Sequence, residues 1–108
     1  MKKNEIIQKS SEFSEIINTA TKIKNKYLTI FYRKNSTINR YGITVPTKLG
    51  NAVIRNKNKR QIKNIIDKNK KNIKKSYDYV IILKSEIINL NYQAKEEELI
   101  NLITKIGD

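Results

Sequence analysis

The chain contains no histidine, no cysteine and no tryptophan. Without histidine it lacks the side chain best suited to proton transfer near neutral pH. Without cysteine it has neither a thiol nucleophile nor a disulfide framework, and with both missing the usual zinc ligands are gone. The lack of disulfides suits a reducing compartment, so a cytoplasmic location is expected. Three glycines are too few and too scattered to build a phosphate-cradling loop, and the single proline is Pro46. The carboxylates stand alone, as at Asp67 and Asp78, or follow one another at residues 96–98, where they do not converge on one ion. No apolar run approaches membrane-spanning length, and the first residues lack the apolar core of a secretory signal. Neither a hydrolytic site carried by this chain nor a membrane partner is expected.

What the chain has is positive charge. Lys and Arg number 23 against 10 Asp and Glu, for a net charge of +13 over 108 residues. That length fits one domain with a modest core, here residues 1–108 as a single domain. The imbalance works against compaction through self-repulsion and points to a polyanionic partner. The charge is concentrated: residues 55–75 hold ten of the cations and one acid, while residues 84–108 are net negative. The partner is therefore expected at the middle of the chain.

Read in order, residues 1–9 are basic and expected to be loosely held. Phe13, Ile16, Ile17 and Ala20 recur at helical spacing, with Ser10 or Ser11 as the cap. Residues 22–26 read as a basic connector. Residues 27–32 are rich in β-formers and put Leu28 and Ile30 on one face, Thr29 and Phe31 on the other. A second strand spans 38–45 and stops at Pro46, with room for a further β division between 27 and 46. A helix follows over 51–67. Residues 77–83 read as a strand buried on both faces. Asn91 caps a last helix whose Leu99, Ile100, Leu102, Ile103 and Ile106 form its apolar stripe, with Gly107 as the stop. The order α-β-β-(β)-α-β-α predicts an α+β fold, a small sheet of three to four strands packed with helices.

The helix over 51–67 organises the rest. Positions 55–61 run without a hydrophobic residue, where an ordinary surface helix returns one to the core every three or four residues. At about 100° per residue, Arg55, Asn56, Lys59, Arg60 and Lys63 share one face with Ala52 at its head. Ile54, Ile62 and Ile65 lie opposite, joined by Asn58 and Gln61. The cations lack the interleaved glutamates that a merely solvated helix carries, so this face is read as a phosphate-binding surface. Lys48 near the helix start adds to it. Phe13 and Ile17 read equally well as core or as ligand-facing; Phe31, on the strand face away from Leu28 and Ile30, suits a stacked single strand.

Lys48, Gly50, Asn51, Ala52, Val53, Arg55, Asn56, Lys59 and Arg60 together resemble the arginine-asparagine-arginine signature of the bacterial ribonuclease P protein subunit, with Lys57 and Lys63 where arginine is usual. Flanking segments are similar too, so the resemblance covers nearly the whole chain. It implies a β-α-β crossover of left-handed sense. It also implies ribonuclease P activity in which an RNA subunit performs Mg²⁺-dependent removal of the 5′ leader from precursor tRNA, with no metal site on the protein. The implied partners are ribonuclease P RNA and precursor tRNA, the protein itself being a monomer. By the same resemblance Lys48, Asn51, Arg55, Asn56, Lys57, Lys59, Arg60 and Lys63 bind RNA, and Phe13, Ile17 and Phe31 line the leader cleft. Ile17 stands where the family often has a second phenylalanine, Asp67 where many relatives are basic, and Pro46 where serine is usual. Composition alone also allows a structural RNA-binding protein, such as a ribosomal component; preference for leader-bearing over mature tRNA separates the two.

Overall fold

The structure, a computed structural model, describes residues 1–107. Its elements are α1 (Ser10–Thr19), β1 (Thr21–Lys24), β2 (Leu28–Lys34), β3 (Arg40–Thr44), α2 (Ala52–Asn69), β4 (Tyr77–Leu83) and α3 (Tyr92–Ile103), joined by short 3₁₀ turns. The strands form one sheet in the order β1-β2-β4-β3. β4 pairs antiparallel with β2 and parallel with β3, so β3-α2-β4 is a crossover unit. The expected α+β class is present, with four strands.

Strand alternation divides the sheet into two faces. Leu28, Ile30, Tyr41, Ile43, Tyr79, Ile81 and Leu83 point towards α2 and α3 and form the main core with Ile62, Ile65, Ile66, Leu99, Leu102 and Ile103. Each fully buried isoleucine of α2 contributes about 1.5–3 kcal/mol relative to exposure. The other face carries a smaller cluster in which Ile7, Ile16 and Val80 are buried, with Phe13, Ala20, Phe31 and Ile82 packed around them. α1 lies on this second face.

Several expectations are corrected. Residues 22–26 are not a connector: Thr21–Lys24 is an edge strand, and Ile23 packs on the main core opposite Ile30. One apolar residue in four gave too little alternation to mark a strand, but an edge needs only one partner and tolerates lysine. No further division of β2 or β3 occurs; the fourth strand precedes them. The N-terminus is held, since Ile6 bridges Tyr41 and Ile7 is 3 % exposed. Neither serine caps α1: Lys9 occupies the cap position without a side-chain bond, and Ser10 is the first helical residue. α3 ends at Ile103, ahead of Gly107, although Ile106 still reaches the core. Asn91 does cap α3, its side chain accepting from Ala94 N at 2.8 Å.

Candidate nucleic-acid interface

α2 begins abruptly for local reasons. Gly50 has φ +151°, and a Cβ there would stand 3.1 Å from the Ile54 side chain, so glycine is required. Asn51 caps the helix, its Oδ1 accepting from Ile54 N at 3.0 Å. Arg55 Nε donates to Gly50 O at 3.1 Å, which ties the first cation of the series to the turn. Asn58, Ile62, Ile65 and Ile66 are buried against the sheet. Ile54, expected on that buried face, is 37 % exposed because it lies before the point where the helix settles on the core.

The opposite face is cationic and unpaired. Lys48, Asn51, Asn56, Lys57, Lys59 and Arg60 are exposed, and Arg55 and Lys63 are half-buried. Among the described residues, none of Lys48, Arg55, Lys57, Lys59, Arg60 and Lys63 forms a salt bridge. The pairing starts one turn later. Asp67 binds Lys70 at 3.2 Å and the Met1 amine at 2.7 Å, Lys70 binds Glu5 at 2.9 Å, and Lys68 binds Glu96 at 3.2 Å. Hydrogen bonds from Lys70 and the Lys2 backbone lower the Glu5 pKa, and the Glu5 bond raises that of Lys70. On α2 itself the free cation series therefore ends at Lys63.

The second group of predicted residues lies around α1. The Phe13 ring sits over the backbone of Gly42 on β3. Phe31 is in register with Val80 and packs in the same small cluster as Phe13. Ile17 is not in that cluster; it lies at the rim, 37 % exposed. Phe13 also lines a cleft of about 290 Å³ whose other wall includes Lys59 and Lys63, with the segment at Ile6, Ile7 and Gln8 running beside it. The structure thus joins the apolar group to the cationic helix at Phe13, while Phe31 and Ile17 stand outside that cleft.

Asp78, read from sequence as an isolated acid, is a buried node. Its carboxylate accepts from Arg40 Nε at 2.9 Å, Arg40 Nη2 at 3.1 Å, Arg33 Nε at 3.2 Å and Asn35 Nδ2 at 2.8 Å. Burial pushes its pKa up, but the bonds from Arg40, Asn35 and Arg33 outweigh that and hold it below the usual aspartate value. The same arginines reach α1: Arg40 Nη1 donates to Glu12 at 2.7 Å, and Arg33 Nη1 to Glu15 at 3.0 Å. Two of the four arginines therefore hold α1 on the sheet and are not free for phosphate. A charged strand residue flanked by apolar neighbours was the only signal of this in the sequence.

The family model described as Ribonuclease P matches residues 1–107. The chain belongs to the ribonuclease P protein family. It is 43 % identical over 108 residues to the ribonuclease P protein component of Mycoplasma capricolum subsp. capricolum, covering 98 % of this chain and 99 % of that one. The corresponding protein of Mesoplasma florum is 41 % identical over 107 residues, covering 97 % of each. Among solved structures, the RNase P protein from Thermotoga maritima superposes with a TM-score of 0.90 at 30 % identity, over 96 % of this chain and 99 % of that one. The Staphylococcus aureus RNase P protein gives 0.88 at 26 % identity, over 95 % of each. Membership of the ribonuclease P protein family thus agrees with the sheet order, the crossover helix and the signature residues on it.

Proposed function

We propose that this chain is the protein subunit of a bacterial ribonuclease P ribonucleoprotein and works with its RNA in the cytoplasm on precursor tRNA. The carrying observation is the unpaired series Arg55, Asn56, Lys57, Lys59, Arg60 and Lys63 meeting an apolar cleft at Phe13. The helix face, with Lys48 and Asn51 at its head, takes the catalytic RNA; Phe13, Phe31 and Ile17 take the single-stranded 5′ leader. Binding neutralises phosphate charge and holds the leader relative to the RNA's reactive centre, so the contribution is electrostatic and positional. Phosphate contacts at α2 set register without reading bases, and the apolar face accepts any base by stacking or contact.

Hydrolysis is assigned to the RNA, with Mg²⁺ as its metal. Most carboxylates among the described residues are engaged by cations rather than gathered around a metal position. Among the described residues no three metal-ligating side chains come together, and Glu5, Glu12, Asp67, Asp78 and Glu96 are bonded to lysine or arginine.

Reconstitution with a cognate catalytic RNA tests the reading. Adding the protein at low Mg²⁺ should raise leader cleavage and tighten binding of precursor over mature tRNA. No change in either would remove it, and equal binding of both tRNAs would favour a general structural RNA-binding role.

A further inference from the structure

We propose that Lys22 and Lys24, on the edge strand β1, hold the phosphates of the single strand whose bases lie on the Phe31 face. The inference rests on the reading above, in which this face receives the leader, and names residues outside the cluster around Phe13. The register carries it. Lys22 is directly opposite Phe31, and Lys24 directly opposite Thr29. Directly opposed residues of an antiparallel pair project to the same face, with Cβ atoms about 4.5–5.5 Å apart. Their neighbour Ile23 turns the other way, into the main core, which fixes the direction of both lysines.

The face they join is only partly covered. Across the sheet, the row through Arg33, Asp78 and Arg40 is occupied by the bonds to Glu12 and Glu15 of α1. The next row, Phe31, Val80 and Gly42, receives Ile16 and Phe13. The third row, Thr29, Ile82 and Thr44, belongs to the same face and keeps partial exposure at all three positions. Lys22 and Lys24 stand at the β1 end of the second and third rows, exposed and, among the described residues, outside every salt bridge. A partly exposed floor of Phe31, Ile82 and two threonines, with free cations along its β1 edge, suits a sequence-tolerant single-strand site: bases on the floor, phosphates at the edge. Lysine on an edge strand also guards a sheet against pairing with another sheet. That role predicts self-association when the lysines are lost and no sensitivity to the leader.

The test uses the reconstituted holoenzyme with Lys22→Gln/Lys24→Gln, and Lys22→Arg/Lys24→Arg as the charge-preserving control. Both are surface changes on a short edge strand; circular dichroism checks the fold of each variant and sedimentation its association state. The Gln variant should bind leader-bearing precursor about tenfold more weakly at low salt. Its log–log salt slope should fall by about 1.4, at roughly 0.7 per single-strand phosphate contact. Affinity for leaderless tRNA and for the catalytic RNA should keep the wild-type values, and the Arg variant should restore precursor binding. If wild-type protein prefers the precursor but the Gln variant matches it in affinity and slope, the two lysines do not hold the leader. Equal loss with and without leader, or self-association as the only effect, overturns the proposal as well. If wild-type protein itself shows no leader preference, the reading of the face fails first, and this is seen before either variant is made.

Discussion

Phe13 rests on Gly42 so closely that no side chain fits between them: a Cβ at Gly42 would stand 2.5 Å from Phe13 Cζ and 2.6 Å from Cε1. The clash is with an aromatic ring packed on the cluster of Ile7, Ile16 and Val80, not with the end of a flexible chain. Glycine here serves close approach, which sets where α1 lies above the sheet.

Gly42→Ala should therefore lift Phe13 and shift α1. Overpacking of this kind costs about 1–3 kcal/mol. Denaturant unfolding should show that loss, and precursor affinity should fall more than affinity for mature tRNA. Unchanged leader discrimination with the expected stability loss would mean Phe13 is structural only.

Asp78 gives a pH signature. Its pKa is lowered in the folded chain by Arg40, Asn35 and Arg33 against the opposing effect of burial. A carboxylate with a depressed folded-state pKa contributes stability above its unfolded value, and that stability is lost as pH falls through the folded one. Wild-type stability should thus decline below the ordinary aspartate range. Asp78→Asn should be destabilised by about 3–5 kcal/mol near neutral pH, because two arginines lose a buried partner. It should also show a flatter acid limb in unfolding measured against pH; an unchanged limb would assign the acid sensitivity to other carboxylates.

Much of this was legible in the sequence, and the reason differs by element. The 3.6-residue pattern and the turn glycine located α2, and the long run without a hydrophobic residue marked its outward face. β4 was visible as a continuous apolar stretch at residues 79–83. β1 was not, because Ile23 alone faces the core and pairing, a non-local fact, makes the strand. The salt-bridged node at Asp78 was equally hidden: Arg33, Arg40, Glu12 and Glu15 come from three separate elements, and only the fold brings them together. The same limit applied to Lys22 and Lys24, whose shared face with Phe31 follows from register.

Asn58 is a weak point of the core. It is 3 % exposed; its Nδ2 donates to Ile54 O at 2.9 Å, and among the described residues its Oδ1 has no partner. A buried acceptor left without a donor costs about 1–3 kcal/mol. Asn58→Leu, similar in shape, should raise stability by about that amount and leave RNA affinity unaltered, as seen by urea unfolding and filter binding. Destabilisation would show that the amide is satisfied in solution.

The net charge of +13 predicts a response to anions. Sulfate or phosphate, binding the folded chain where cations converge, should raise its melting temperature in a concentration-dependent way. Chloride at equal ionic strength should do less, since screening alone lacks the bound-ion contribution. Indifference to all three would mean that charge repulsion does not limit stability.

The central claim is that the outward face of α2 lies against RNA backbone while its other side is buried. The most direct measurement is the salt dependence of catalytic-RNA binding by Arg55→Gln/Lys59→Gln/Arg60→Gln beside the wild-type protein. Three lost duplex phosphate contacts should lower the log–log slope by about 2.7, at roughly 0.9 each, with the fold intact by circular dichroism. A slope and affinity equal to wild type would contradict the account.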